Sequence, residues 1–78
     1  MKYLGLLGVY IAIQSKRDSL DAGWEIAKKL RLDWRDADNL LNMIFLAKHY
    51  GVDEGLKKRA LNIIQRLDEY EEIQNLLV

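Results

Sequence analysis

The stretch Ile26–Leu41, IAKKLRLDWRDADNLL, ends one amphipathic helix and starts another, and the reading of that corner decides the fold. Ahead of it, Leu20, Trp24, Ala27 and Leu30, with Ile26 at the edge, recur at helical spacing, and Lys28, Lys29 and Arg31 gather where cations favour the C-terminal end of the helix dipole. Asp33 then has the short acceptor side chain that suits an N-cap, Asp36 three residues on completes a box-like D-x-x-D, and Leu32 and Ala37 stand at the two staple positions. Part of the stretch returns further along. Arg31-Leu32-Asp33 with Asn39-Leu40-Leu41 is echoed by Arg66-Leu67-Asp68 with Asn75-Leu76-Leu77, the second copy carrying one extra residue. The echo predicts a second cap at Asp68, with Glu71 three residues beyond.

Outward from the corner, the remaining elements follow. Toward the N-terminus, Tyr3–Ile13 is apolar on all sides, so it predicts a helix covered on most of its surface. The run is too short to cross a bilayer, which takes roughly 20 residues, and no small-x-small cleavage pattern follows it. Gly5 and Gly8 within it point to close approach of another helix. Lys16-Arg17-Asp18 is a polar connector, and Asp18 or Ser19 caps the next helix. Beyond the corner, Asp36–Tyr50 is the strongest helical pattern. Ala37, Leu40, Leu41, Ile44, Phe45 and Tyr50 form one broad apolar face, while Met43, Leu46 and Ala47 spill outside it, which predicts contacts on two sides. Gly51 ends that helix and Asp53 caps a fourth, with Leu56, Ala60, Ile63, Ile64 and Leu67 on one side and Lys57-Lys58-Arg59 exposed. Tyr70, Ile73 and Leu77 mark a short last helix.

With 78 residues the chain forms one domain with a modest core, which favours oligomerisation. Half the residues are hydrophobic and none is proline, which favours a packed all-helical domain over disorder. Twelve basic and twelve acidic residues cancel, so nothing in the overall charge draws the chain to nucleic acid or anionic lipid. The absence of cysteine excludes disulfides, thiolate metal sites and cysteine nucleophiles, and agrees with a reducing, cytoplasmic setting. The expected fold class is therefore all-α: consecutive antiparallel helical hairpins over 1–33 and 34–67, with a C-terminal capping helix over 68–78, as repeats or as a small bundle.

The first hairpin resembles a tetratricopeptide repeat, a 34-residue pair of helices. Starting at Leu4, the signature places of that family fall on Leu4, Leu7, Gly8, Ile11, Leu20, Trp24, Ala27 and Leu32. Leu20 is larger than the alanine usual there, and Leu32 stands where proline is common. In the second unit Leu41 and Phe45 agree, Asn42 replaces the small residue, and Gly55 or Leu56 and then Ala60 stand in after a slip of register. The resemblance implies that the first helix of each hairpin lines a concave binding face. Carried over place by place, that face comprises Leu6, Val9, Ala12 and Ile13, then Asn39, Leu40, Met43, Leu46 and Ala47. A nearly uncharged groove with a flexible methionine suits an apolar helix or peptide. Since two repeats cannot stably expose so much apolar area, the last helix Tyr70–Leu77 or a second copy of the chain is the alternative cover.

The corner also fits a DNA-binding helix-turn-helix, with Arg31 in place of the turn glycine. Asp33, Asp36 and Asp38 would then face phosphates, a poor arrangement. A second candidate, Leu46–Leu61, presents Lys57, Lys58, Arg59 and Asn62, although Lys57 falls where an apolar residue is expected. No residue set points to catalysis. His49 is the single histidine, no ligand spacing supports a metal, and no glycine loop cradles phosphate, so neither an enzyme nor a cofactor is expected. The expected function is a protein-interaction module, as adaptor, chaperone-like or regulatory subunit, with a small helix-turn-helix regulator as the alternative.

Overall fold

In the computed structural model, which describes residues 2–78, five helices form in chain order: α1 Leu4–Gln14, α2 Ser19–Lys29, α3 Trp34–Tyr50, α4 Glu54–Ile64 and α5 Tyr70–Leu77. The all-round apolar sequence of α1 has the consequence expected of it. Leu7, Gly8, Val9, Tyr10 and Ile11 are buried in succession, which a helix permits only when neighbours cover it on every side. α3 packs along it most extensively, α4 takes a second flank and α2 a third. At Gly8 a Cβ atom would stand 2.7 Å from Met43 Cβ, so glycine sets how closely α1 and α3 approach. At Gly23, between α2 and α3, a Cβ would press on the end of the Ile44 side chain and stand 3.3 Å from Leu41 Cδ2.

Three helices start on one chemistry. The carboxylates of Asp18, Asp33 and Asp53 accept from the backbone N–H three residues on, at Asp21 (2.9 Å), Asp36 (2.8 Å) and Leu56 (2.8 Å), satisfying a donor that has no partner inside the helix. The opening corner closes with equal economy. Leu32 N–H donates to the Ala27 carbonyl (3.0 Å) and Arg31 N–H to that of Lys28 (3.1 Å), the paired bonds of a Schellman motif. Arg31 holds the left-handed position that glycine usually fills there, at φ 56°. α3 ends at Gly51, whose φ of 84° and ψ of 177° lie in a region open to glycine alone.

The second corner is built differently. Expected as a cap, Asp68 lies instead in a connector wound by Leu67 N–H to Ile64 O and Tyr70 N–H to Leu67 O, each 3.1 Å. Glu69 takes the N-cap place without a side-chain bond. The extra residue in the second copy is absorbed by these tight turns, which carry the start of α5 past the aspartate.

The second helical pair also departs from a closed hairpin. Past Gly51 the chain runs out extended through Asp53 (ψ 161°), and α4 docks on α1 rather than back along α3. α1 is covered along most of its length. Val9 is 3% exposed and Leu40 fully buried, while Leu6, Ala12 and Ile13 are half-buried against the core. Leu7, Ile11, Ile26, Leu40, Ile44 and Ile64 form the centre of that core.

α5 covers α2 through Ile73 and Leu77, both buried, and it is tied to the first connector. Lys16 N–H donates to the Leu77 carbonyl (2.7 Å), Arg17 Nη1 donates to that of Leu76 (3.3 Å), and Arg17 also pairs with Glu25. Beneath, the buried Tyr10 hydroxyl donates to Gln74 Oε1 at 2.5 Å. Burial, with the Tyr70 phenol alongside, pushes the Tyr10 phenol up to about 12. Thus α5 does not lie over the outer face of α3.

Candidate interaction surface

At 17 residues α3 is the longest helix, and its two halves differ on the solvent side. Ala37, Leu40, Ile44 and Ala47 make the buried stripe. Leu41 leans toward α2 and Met43 toward α1, as the contacts of Gly23 and Gly8 show. In the N-terminal half the outer positions Arg35, Asp38, Asn39 and Asn42 are polar, and the one exposed apolar residue is Trp34 in the first turn, 76% exposed, with the Arg35 guanidinium 5.5 Å from its ring. In the C-terminal half the same positions carry Phe45, Leu46, His49 and Tyr50. Phe45 is 54% exposed, Leu46 45% and Tyr50 77%. Their rings are ordered among themselves: Phe45 stacks on His49 (centroids 5.7 Å apart, planes within 6°), and His49 meets Tyr50 edge-on at 4.7 Å.

Beside this ridge lies an apolar groove of about 250 Å³, lined by Val9 from α1, Met43, Leu46, Ala47 and Tyr50 from α3, Gly51 and Val52 from the connector, and Leu56 from α4. It exists because α4 turns away from α3 at Gly51 and leaves the junction of three helices open. A more polar hollow adjoins it, sharing Ala47 and Val52 and adding Ala12, Ile13, Lys48, Glu54 and Lys57. On the opposite flank of α3, α2 exposes Leu20 and Trp24, with the Lys28 ammonium 6.0 Å from the indole centroid. α2 packs against α3, with Gly23 against Leu41 and Ile44.

Of the residues expected to bind a partner, Val9, Met43, Leu46 and Ala47 converge on the groove and Ile13 on the adjoining hollow. Leu40 belongs to the core, Leu6 is half-buried, and Asn39 stands exposed on the polar half of α3. Phe45, Tyr50 and Trp24 correct the sequence expectation, which assigns them to packing inside the chain. Each is at least half exposed, because the helices that cover α3 reach it from the Leu41 and Met43 sides and stop there. Val52 and Leu56 join the groove from α4 and its connector. The surplus of apolar positions on α3 was the signal for them, since it exceeded what one buried stripe needs.

On α4, Lys58, Arg59 and Asn62 are exposed, whereas Lys57 is half-buried beside Ala12 and Ile13. Asp53 and Glu54 occupy the start of that helix, where a recognition helix would meet phosphate. At the far end of the molecule the two repeated corners meet: Leu30, Arg31, Leu32, Asp33 and Asp36 from the first and Glu69 from the second surround a polar hollow of about 430 Å³. Among the described residues no group of three or more His, Asp or Glu could hold a metal ion, and no helix is long and apolar enough to cross a membrane.

These features define a small five-helix bundle with an exposed apolar and aromatic face on its longest helix. Comparison of the chain with protein-family models, with curated proteins and with solved structures returned no match.

Proposed function

We propose that the chain is a protein–protein interaction module, an adaptor or regulatory subunit, which takes an apolar helix against the C-terminal half of α3. The observation that carries this reading is the contrast along one helix: after Trp34 in the first turn, its outer N-terminal half is polar (Arg35, Asp38, Asn39 and Asn42), whereas Phe45, Leu46, His49 and Tyr50 stand together on its outer C-terminal half. A contiguous exposed apolar patch costs solubility, so a functional contact is the physical reason to keep one. Two aromatic rings held in place by ring contacts lose little entropy on binding, and such anchors supply most of the energy of an interface. At about 250 Å³ the groove is below the roughly 300–1,000 Å³ of small-molecule sites, and its open, apolar lining fits side chains from a helix. The resemblance of the first hairpin to tetratricopeptide repeats points the same way, and the absence of cysteine suits the cytoplasm.

Selection of helical peptides from a displayed library on the chain tests the proposal. Binders are expected to carry aromatic or leucine anchors at helical spacing and to shift the amide resonances of Phe45, Leu46, Tyr50 and Val52. Binders that map elsewhere overturn it. So does tight, salt-dependent binding of duplex DNA that Lys58→Glu with Arg59→Glu abolishes, which would establish the helix-turn-helix alternative.

A further inference from the structure

What seats on the α3 face follows from its size, shape and charge. We infer that a second copy of this chain docks there about a two-fold axis passing Leu46, with Phe45 and Tyr50 of each copy entering the groove of the other. This rests on the reading of α3 as an interaction surface and names its occupant.

Area is the first reason. Leu20, Trp24, Phe45, Leu46 and Tyr50 are between 42% and 77% exposed. With about 150–250 Å² available per aromatic side chain, they leave roughly 500 Å² of apolar surface on the packed pair α2 and α3. One side of a standard interface takes about 800 Å², of which about 65% is apolar in homodimers, so the patch is the right size for one half of such a contact.

Shape is the second. A two-fold contact uses the same patch twice, so that patch must hold both a projection and a recess. Tyr50, 77% exposed, stands on the rim of the groove formed by Val9, Val52 and Leu56. An unrelated partner needs only one of these two features, whereas an isologous dimer needs them side by side.

Charge is the third. No carboxylate, ammonium or guanidinium lies among Phe45, Leu46, His49 and Tyr50. At the edges Lys48 and Lys57 share a hollow with Glu54, and Arg17 and Lys28 share one with Asp21 and Glu25, so the rim carries charge of both signs. The chain carries no net charge, and two copies approach without long-range repulsion.

The test is sedimentation equilibrium of the full chain from about 1 μM to about 1 mM, the span in which interfaces of modest affinity dissociate. The wild-type mass is expected to double across that range. Phe45→Glu and Tyr50→Ala are each expected to weaken the dimer tenfold or more with unchanged far-UV circular dichroism. Tyr50→Ala truncates an exposed side chain and keeps the comparison open should Phe45→Glu misfold. Because the chain has no cysteine, Leu46→Cys provides a single reporter near the axis. It is expected to form disulfide-linked dimers on mild oxidation much faster than Asn62→Cys on the exposed side of α4. A chain that stays monomeric to the highest concentration overturns the inference, as does a dimer indifferent to both substitutions. If the chain is monomeric while selected helical peptides still shift Phe45 and Tyr50, the second copy is wrong and the interaction reading stands. If neither association occurs at this face, both fall.

Discussion

Replacing Arg31 by glycine is expected to stabilise the protein, although it deletes a charged side chain from the corner that joins α2 to α3. The backbone there closes α2 with two bonds, Leu32 N–H to Ala27 O and Arg31 N–H to Lys28 O, and both require the left-handed conformation seen at φ 56°. For an L-residue with a Cβ atom that conformation costs about 1–2 kcal/mol, and glycine removes the cost. Glycine in turn gives up about 0.5–1 kcal/mol through the greater freedom of its unfolded chain. The Arg31 side chain is exposed, so little packing is lost. The net gain is about 0.5–1 kcal/mol. At about 2.1 cal/mol/K per residue, unfolding 78 residues carries an entropy of about 0.16 kcal/mol/K, so Tm should rise by about 3–6 °C. Thermal and urea unfolding followed by far-UV circular dichroism measure both quantities. Arg31→Ala is the control that separates backbone from side chain: it keeps the Cβ and drops the guanidinium, and its Tm should stay close to wild type. Should Arg31→Gly and Arg31→Ala lose stability alike, the guanidinium holds the corner and the backbone argument is refuted.

Other substitutions read the remaining features. Gly8→Ala is expected to destabilise by about 1–3 kcal/mol in urea unfolding, because the new methyl meets Met43 Cβ at 2.7 Å and the helices must part. Gly5→Ala has 3.7 Å to Met43 Cε and should instead stabilise by about 0.5–1 kcal/mol through helix propensity. Asp33→Ala should cost about 1 kcal/mol through the lost cap, while Asp68→Ala, outside the cap position, should leave stability within about 0.5 kcal/mol of wild type. Tyr10 is expected to give a late phase, near pH 12, in a spectrophotometric titration. With the phenol raised from 10.0 to about 12 in the folded state, its contribution to stability is complete below pH 10 and lost as pH climbs toward 12. That contribution is about 2–3 kcal/mol. Tyr10→Phe should remove the late phase.

Legibility from sequence followed the range of the interaction. The caps at Asp18, Asp33 and Asp53 were readable because donor and acceptor lie three residues apart, and Gly51 because its φ excludes other residues. The Schellman closure at Arg31 carried no glycine to flag it. Asp68 repeated the composition of Asp33, but the extra residue allowed a tighter winding that the local pattern does not encode. The docking of α4 on α1 was hidden for a different reason. It depends on which of two apolar flanks the extended Gly51–Asp53 connector reaches, a matter of three-dimensional path. The same holds for the candidate surface. The surplus of apolar residues on α3 was evident, and Met43, Leu46 and Ala47 share a groove with Val9. A helical pattern alone cannot say that the cover stops at Leu41 and leaves Phe45 and Tyr50 in water.

The burial of α1 has a consequence in time. A helix apolar all round is made before every element that covers it, and α4 and α5 emerge last. At about 5–20 residues per second, the roughly 70 residues from the start of α1 to the end of α5 take about 4–15 seconds to synthesise. Until that interval ends, the most water-averse segment of the chain lacks part of its native cover. Nascent chains stalled before α4 should therefore be held by chaperones or aggregate, whereas emergence of α5 lets Lys16 and Arg17 clasp its end and close the bundle.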